Sequence, residues 1–596
     1  MFQTFDTPSD PSQGPMRLAQ LRDVLRTEAL DGFIVPRADA HQGEYVAARD
    51  ARLAWLTGFT GSAGFCAALM DCAGVFVDGR YRVQVKQQVD SCFSPVDWPE
   101  TDLSDWLLAQ LPQGGKIGFD PWLHTIAELQ KLRDKLGNRI ELVAISHNLI
   151  DRIWGDQPPL PNRAVSAYPA EYAGESATSK RARCGAELAQ ADHDSVFLSQ
   201  TDSIAWLLNI RGSDIPRVPV ALCFAVLHKT GAVQLFIEPS ATADLTLDAG
   251  ITVTAPAKMV AGLSTLSGVV RVDPTSCPSA VESVLRDAGC SLSYGADPCV
   301  LPKACKNSVE IAGTTAAHLR DAGAMCEFLA WLDAQPADTL SEIDVVRALE
   351  GFRQATGALQ DISFDTICGT GPNGAIIHYR VTEDSNRRIK SGDLLLIDSG
   401  GQYLDGTTDI TRTVAIGTVG KAEKSSFTRV LQGMIAMSRI RWPAGLSGRD
   451  LDLVARLPLW MAGQDYPHGT GHGVGCFLSV HEGPQRLSRA SGQVLKPGMI
   501  LSNEPGFYKE DAFGIRIENL ILVCEAARLP NQTVSDMLNF QTLTWVPIDH
   551  RLIETDLLSS QERAWLNIYH QTCYQHVSAE LSPAARQWMQ AACAEI

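Results

Sequence analysis

Two aspartates eleven positions apart constrain the fold of this chain more than any other feature. Asp398 ends the apolar run Leu394–Ile397, and Asp409 lies in a second β-prone segment. Between them, Gly400–Gly401 and Asp405–Gly406 are turn signals. The stretch therefore predicts two strands that double back, each bringing one carboxylate to its end.

Three more residues with metal-ligand side chains follow in short glycine-rich or β-prone segments. PHGTGHGVG supplies His472, NEPGFY supplies Glu504 and GIRIEN supplies Glu518. Four carboxylates around one imidazole make a cluster that is too negative to gather in a single site without cations. Such oxygen-rich ligation suits Mn²⁺, Co²⁺ or Zn²⁺ rather than a cysteine-bound structural zinc. Because four carboxylates exceed the charge of one divalent ion, we predict two ions about 3.5–4 Å apart with bridging carboxylates.

Water held between two such ions is acidified towards hydroxide near neutral pH, and it can attack a carbonyl that one metal polarises. This chemistry is hydrolysis. His378, His468 and His481 flank the ligand segments, and we predict that they lie on the substrate side and donate hydrogen bonds to a scissile carbonyl or its oxyanion. His378 follows a segment, AII, that is predicted to be a strand, and Cys476 is predicted to be a core cysteine.

Alternation with a period of two runs through 514–523, which is predicted to be one strand. It places Arg516 and Glu518 on the same face, together with Leu520, so both charges are predicted to point into a polar site. Ile515 and Ile517 would lie on the opposite face.

The N-terminal half contains an internal repeat. AWLTGFTGS (Ala54–Ser62) aligns with AWLLNIRGS (Ala205–Ser213), and each is followed by an apolar strand, a glycine-centred turn and another apolar strand. We predict two similar α/β domains over 16–152 and 165–304, joined by a proline-rich linker. Since neither clusters His, Asp and Glu residues, a structural or assembly role is expected. A third domain, 306–596, has long amphipathic helices, the ligand segments and a helical C-terminal extension.

Bulk properties exclude several classes of protein. A net charge of −17 argues against a general nucleic-acid binder. The fifteen cysteines include no C-x-x-C pair, and no basic-then-apolar start is present, which favours reduced thiols in the cytoplasm. The sequence has no apolar run long enough for a membrane span. The first fifteen residues, polar and rich in proline, are predicted to be a frayed leader.

HGTGHGVG, NEPGFY and GIRIEN, with LLLIDSGGQYLDGTTDITRT upstream, resemble the motifs of the pita-bread metallopeptidases. Among these, the chain is most similar to the long, three-domain Xaa-Pro aminopeptidases (aminopeptidase P). The match includes DAHQGEY, VDGRYR, RGSDIP and TGPNGAIIHYR, so it spans nearly the whole chain. The resemblance implies an α/β (α+β) fold, with two similar N-terminal α/β domains with mixed sheets followed by a pita-bread catalytic domain.

The resemblance also implies a dinuclear site, most often with manganese, and a homodimer. Asp398 would chelate one ion, Asp409 and Glu518 would bridge, and His472 and Glu504 would complete the other site. Glu504 would also be the general base. His378, His468 and His481 match the family's substrate-binding and proton-handling histidines, and Arg516 matches its arginine beside the last ligand.

The implied substrates are peptides with proline in the second position. A prolidase, which cuts Xaa-Pro dipeptides, is the nearest alternative. The tandem N-terminal units count against a methionine aminopeptidase. The five ligand-type residues count against a non-catalytic peptide-binding relative and against a creatinase-like hydrolase without metal. Fold alone cannot separate these functions.

Overall fold

The computed structural model describes residues 1–7, 9–336 and 338–596. Two compact units divide the chain: Pro8–Val300 forms one, and Met1–Thr7 joins Leu301–Ile596 in the other. Among the described residues, no helix has both the length and the apolar composition that a membrane span needs. Each of the fifteen cysteines is a thiol rather than half of a disulfide.

The first half of the Pro8–Val300 unit is a six-stranded mixed sheet with helices on it. Helix α1 (Gly14–Thr27) buries Leu18, Leu21 and Leu25, as their helical spacing predicts. The strands are β1 (Gly32–Pro36), β2 (Phe65–Leu69), β3 (Ala73–Val77), β4 (Ser94–Asp97), β5 (Gly115–Phe119) and β6 (Ile140–Ala144). The other helices are α2 (Arg52–Thr57), α3 (Arg82–Gln88), α4 (Leu103–Gln110), α5 (Ile126–Leu136) and α6 (Leu149–Ile153).

The second half of this unit has its own six-stranded sheet. Its elements are β7 (Ser166–Ala167), α7 (Ala170–Ala173), α8 (Ala177–Gln190), β8 (Ser195–Leu198), α9 (Thr201–Leu208), β9 (Ile210–Arg211), β10 (Phe224–His228), β11 (Val233–Phe236), β12 (Ile251–Thr254), α10 (Met259–Leu263), β13 (Val269–Val272), α11 (Ser279–Asp287) and β14 (Ser291–Tyr294). Helix α12 (Val300–Ala304) follows.

The two sheets have the same strand order. The first runs β4-β3-β2-β1-β5-β6 and the second β12-β11-β10-β8-β13-β14, with matching parallel and antiparallel pairs. The repeated Ala-Trp-Leu lies in α2 and in α9. Both helices end in a left-handed residue, Gly58 (φ 86°) or Asn209 (φ 49°), the two residue types that accept this conformation most readily.

The remaining unit combines helices with one six-stranded sheet and several sheets of two or three strands. Its helices are α13 (Ser308–Asp333), α14 (Glu342–Gln354), α15 (Lys421–Arg439), α16 (Gly448–Trp460), α17 (Ser560–Val577) and α18 (Pro583–Ala592). Its strands are β15 (Asp361–Ile362), β16 (Ile367–Thr370), β17 (Leu394–Ser399), β18 (Gly401–Tyr403), β19 (Gly406–Thr407), β20 (Ile410–Ala415), β21 (Arg441–Pro443), β22 (Gly471–Gly473), β23 (Glu482–Leu487), β24 (Ile500–Asn503), β25 (Gly506–Lys509), β26 (Phe513–Arg516), β27 (Asn519–Glu525) and β28 (Met537–Thr542).

Three of these sheets bear on the site. They run β16-β17-β20, β21-β28-β27-β24-β22-β23 and β25-β26. Helix α15 packs a continuous apolar face into the core, including Phe427, Val430, Leu431 and Met434. Helix α14 begins at a capping box, a pattern that the sequence SEID (Ser341–Asp344) predicts, in which Ser341 and Asp344 satisfy each other's backbone N–H groups.

The prediction of a frayed N-terminal leader is wrong for its first residues. Gln3 and Phe5 are buried. The Gln3 side-chain amide forms paired hydrogen bonds with the backbone of Thr366, and the Glu350 carboxylate accepts the backbone N–H groups of Phe2 and Gln3. Polar composition did not reveal this packing, because the Gln3 amide is buried by pairing with backbone groups more than 300 residues away in the sequence.

Candidate metal centre

Five ligand-type side chains converge where strands of neighbouring sheets end. Asp398 is the penultimate residue of β17, and Asp409 immediately precedes β20. His472 is the central residue of β22, Glu504 directly follows β24, and Glu518 directly precedes β27.

Strand register explains the convergence. β17 and β20 pair antiparallel, with Ser399 opposite Ile410, so Asp398 and Asp409 lie at the same end of the pair. The predicted doubling back is confirmed, although the intervening residues form a second small hairpin, β18–β19, rather than one turn. In the next sheet β24 and β27 pair antiparallel through Asn503 and Asn519, which brings together the residues just outside each strand.

The distances at the centre suit metal ligation. His472 Nε2 lies 3.5 Å from Asp409 Oδ2 and 3.5 Å from Glu504 Oε1. One ligand atom each from Asp409, His472 and Glu518 lies within 4.8 Å of the others. This cluster therefore unites an imidazole and carboxylates from three separate sequence motifs.

Two carboxylate oxygens in the cluster are buried without a hydrogen-bond donor among the described residues. They are Asp398 Oδ1 and Glu518 Oε1. The second oxygen of each is held: Asp398 Oδ2 lies 2.6 Å from Arg516 Nη2, and Glu518 Oε2 accepts the Thr411 hydroxyl at 2.8 Å. A buried acceptor without a partner is unfavourable. Hard divalent cations would satisfy these oxygens, so the residues present fit a dinuclear metal centre.

The electrostatics support the same conclusion. Burial, followed by the charges of Asp398 and Glu504, raises the pKa of Asp409 well above its ordinary value. Burial and the charge of Asp409 do the same to the pKa of Glu518. Burial raises the pKa of Glu504 despite the nearby imidazole of His472. Carboxylates crowded this closely need bound cations to remain ionised together at neutral pH.

A chelator should therefore lower the melting temperature, and more so at about pH 7.5 than at about pH 5.5. The raised pKa values mean that protonation relieves the repulsion as pH falls, so the metal-free fold regains stability, while bound metal loses affinity. At the higher pH, we expect the melting temperature of the chelated protein to be about 5 °C or more below that of protein kept at a metal concentration far above Kd. Calorimetry with and without chelator measures it, and an equal loss at both pH values would contradict the explanation.

Of the three predicted histidines, His481 contacts a ligand residue directly, and His468 is joined to the centre through Tyr508 and Arg516. The His481 ring packs edge-on against the His472 ring, with centroids 4.4 Å apart. His468 Nε2 lies 2.9 Å from the Tyr508 hydroxyl, which accepts a 2.7 Å hydrogen bond from Arg516 Nη1. His378 is linked less directly, because its neighbour Ile377 offers its carbonyl to the same Arg516 nitrogen at 3.4 Å.

The prediction of a strand before His378 is wrong. Gly371–Ala375 forms a 3-10 helix, and a turn that contains His378 follows. Gly371 has a φ of +54°, and Pro372 occupies the start of the helix, so this backbone cannot continue a strand.

The single strand predicted over 514–523 is also wrong. β26 ends at Arg516 and β27 begins at Asn519, because β26 pairs with β25 whereas β27 pairs with β24 and β28. Ile517 and Glu518 are both buried, so alternation does not separate an inner from an outer face. Arg516 and Glu518 nevertheless meet at Thr411, whose hydroxyl accepts from Arg516 Nε at 3.2 Å and donates to Glu518.

Sequence reasoning missed three polar residues that support the site. Thr411 links Glu518 to Arg516, and Tyr508 links His468 to Arg516. The Ser502 hydroxyl donates to Glu504 Oε1 at 3.1 Å and accepts the His472 backbone N–H at 2.9 Å. Thr411 was detectable, since it follows Asp409 by two positions on the same strand face. Cys476 is buried against the Thr314 hydroxyl, as predicted for a core cysteine.

Family models cover most of the chain. The model described as metallopeptidase family M24 matches residues 312–525, and the C-terminal region of peptidase M24 matches residues 536–596. Two models of the creatinase/prolidase N-terminal domain match residues 17–153 and 156–310.

Among curated proteins, aminopeptidase P2 of Arabidopsis thaliana is 38% identical, covering 94% of this chain and 85% of that protein. A probable Xaa-Pro aminopeptidase P of Talaromyces marneffei is 39% identical, covering 94% and 89%. The solved X-prolyl aminopeptidase of Caenorhabditis elegans, described as a cytosolic enzyme with a di-nuclear active site, superposes with a TM-score of 0.92 at 32% identity, covering 98% of this chain and 100% of that one.

Proposed function

This chain belongs to metallopeptidase family M24 as a long-form Xaa-Pro aminopeptidase (aminopeptidase P), and from that membership we propose how its own residues carry out the reaction. The enzyme is a metal-dependent hydrolase that releases the first residue of a peptide by cutting the bond before proline. The observation that carries this proposal is the convergence of five ligand-type side chains with orphaned carboxylate oxygens.

We propose that two divalent ions would be held by these five residues: Asp398 would bind one ion, His472 and Glu504 the other, and Asp409 and Glu518 would be shared between them. When bound, the two ions would activate water and polarise the scissile carbonyl. Glu504 would act as general base, taking a proton from that water. Support for this role comes from its raised pKa and from its place beside His472.

The histidines and Arg516 are proposed to handle the substrate. His481 and His468 would donate hydrogen bonds to substrate carbonyl oxygens, and His378 would do so from the neighbouring turn. Arg516 would hold Asp398 and the Tyr508 hydroxyl in place, which in turn orients His468. The acidic centre would attract the free α-amino group of the peptide.

Proline makes the substrate test sharp, because an Xaa-Pro bond is a tertiary amide without an N–H and its ring restricts φ. We expect release of the first residue from Xaa-Pro-Yaa peptides and only weak cleavage of Xaa-Pro dipeptides. Replacing the proline with alanine should cost more than the ~1–3 kcal/mol of a missing methylene. Faster cleavage of dipeptides would identify a prolidase, and equal cleavage of Xaa-Ala-Yaa would refute proline recognition.

We propose Mn²⁺ as the metal and the cytoplasm as the location. The oxygen-rich ligand set favours Mn²⁺ over metals that prefer sulfur or nitrogen. The fifteen thiols, together with the cytosolic C. elegans relative, support a reducing compartment. Reconstituting chelated enzyme with Mn²⁺, Co²⁺ and Zn²⁺ should give the highest activity with Mn²⁺, and cell fractionation tests the location.

We also propose a homodimer that uses one face of α16. Leu453, Leu457, Trp460 and Met461 are exposed, and their spacing of four, three and one residues places them on one side of the helix. An apolar stripe of this kind on a soluble surface marks an interaction site. A second copy of the chain is the occupant we expect, since most oligomers pair identical surfaces about a two-fold axis.

Leu457→Asp should therefore convert the dimer into a monomer, because it places a charge in the centre of the stripe. Sedimentation velocity at working concentrations measures the change. Leu529→Asp is the matched control, since Leu529 is 52% exposed, compared with 50% for Leu457, but lies outside the stripe. If wild type is already a monomer, or if both variants stay dimeric, this interface is wrong.

A further inference from the structure

Glu342 is a fully buried carboxylate at the first position of α14, away from the metal centre. The helix does not need this side chain for capping, because Ser341 and Asp344 form the capping box. A buried carboxylate needs donors, so its partners indicate what it holds.

Four donor groups, all from one stretch of chain, bind the Glu342 carboxylate. The backbone N–H of Thr370 donates to Oε1 at 2.8 Å, and the Asn373 amide lies 3.0–3.1 Å from both oxygens. The Tyr379 hydroxyl and the backbone N–H of Arg387 each donate to Oε2 at 3.0 Å. The Glu342 backbone N–H returns a hydrogen bond to the Arg387 carbonyl at 3.0 Å.

These donors enclose His378 in sequence, with Asn373 before it and Tyr379 directly after it. On the other side of His378, the Ile377 carbonyl accepts from Arg516, which is paired with Asp398. His378 therefore lies between two anchors, one on α14 and one on the metal centre.

Close packing leaves this turn little freedom. A Cβ added to Gly514 on β26 would lie only 1.7 Å from the Gly374 carbonyl oxygen, so the turn rests directly on the backbone that leads to Arg516. The turn cannot shift towards β26, and Glu342 holds it from the other side.

We propose that Glu342 is a positioning residue for His378, holding the stretch 370–387 so that the imidazole stays on the substrate side of the metal centre. This inference rests on the proposed role of His378. It differs from a purely structural role, because loss of Glu342 should lower activity only by displacing His378 and not by an effect that is independent of His378.

The charge of Glu342 adds a second readout. Burial raises its pKa to about 7 against the lowering effect of its hydrogen bonds. The titratable and charged groups around it are Tyr379, Cys368 on β16, Arg387 and Asp393. Burial and the charge of Glu342 raise the pKa values of Tyr379 and Cys368. Asp393 accepts the Thr370 hydroxyl at 3.0 Å. As pH falls through about 7, Glu342 gains a proton and the carboxylate loses one acceptor position.

A double-mutant cycle of Glu342→Gln and His378→Ala in the metal-loaded enzyme tests the proposal. Glutamine keeps the shape but presents an N–H₂ group to donors. We expect Glu342→Gln alone to lower kcat/KM about 10–100-fold on an Xaa-Pro-Yaa peptide, with metal content unchanged. In the His378→Ala background the same change should cost less than about 2-fold, because its effect acts through the missing imidazole.

The pH profile gives the independent measurement. The ratio of wild-type to Glu342→Gln activity should fall towards one below about pH 7, where wild-type Glu342 is itself neutral. Glu350→Gln is the matched control, since Glu350 is a buried carboxylate on the same helix that binds the N-terminal segment instead. Its ratio to wild type should not change across this pH range.

Two results would overturn the proposal, and they differ in what else they refute. Losses that multiply in the double variant would refute positioning and leave the proposed role of His378 intact. If His378→Ala alone costs nothing, both the role of His378 and the positioning by Glu342 are refuted. Should Glu342→Gln fail to fold, Tyr379→Phe, which removes one donor, enters the same cycle with the same expected non-additivity.

Discussion

Glu518→Gln is expected to remove metal and to lower kcat/KM by about 10³-fold or more, since metal catalysis supplies several kcal/mol and each 1.4 kcal/mol is about tenfold. The glutamine keeps the volume and can still accept the Thr411 hydroxyl, but it loses the charge that a bridging ligand needs. Elemental analysis of the purified variant, alongside peptide kinetics, measures both effects.

Glu525→Gln provides the matched control for this experiment. Glu525 ends the same strand, β27, at the end away from Glu518, and its side chain is exposed. It should retain two metal ions and wild-type activity. If Glu518→Gln also retains both ions, Glu518 is not a bridging ligand and the assignment of the centre is wrong.

His481→Ala is expected to retain metal and to lower kcat by about 10²–10³-fold, the usual cost of removing a hydrogen-bond donor to a developing oxyanion. The His481 ring touches the His472 ring but has a different proposed partner, the substrate carbonyl. Metal content and kcat therefore separate its role from that of His472.

His472→Ala serves as the comparison, because it should lose metal and activity together. The pair of variants thus distinguishes ligand from substrate contact at neighbouring rings. Loss of metal in His481→Ala would place His481 among the ligands, and unchanged kcat would remove it from the reaction.

Local patterns in the sequence predicted the parts of the molecule whose causes are local. Leu18, Leu21 and Leu25 are buried on one face of α1 because residues three and four apart share a side of a helix. Ser341 caps α14 because its hydroxyl reaches the backbone only three residues away. Asp398 and Asp409 approach each other because turn residues lie between two β-prone runs.

Predictions failed where a distant segment determined the local backbone. The stretch 514–523 has strand alternation throughout, yet it breaks at Ile517 because its two halves pair with different strands. The residues before His378 are apolar enough for a strand, but they form a 3-10 helix followed by a turn. The positive φ of Gly371 and the close contact between Gly374 and Gly514 impose this conformation. The contact between Gly374 and Gly514, and the pairing of β24 with β27 across the β25–β26 hairpin, both involve residues outside the segment whose conformation they determine.

The sequence by itself determined which side chains are candidates for metal and substrate binding, because these carboxylates and imidazoles all lie in short motifs. Only the tertiary structure decided what holds them. Arg516 joins Asp398, Tyr508 and the Ile377 carbonyl, residues separated by up to about 140 positions. Glu342 and the N-terminal Gln3 likewise act on partners far along the chain. A hydrogen bond depends on distance in space, and that distance exists only after the chain has folded.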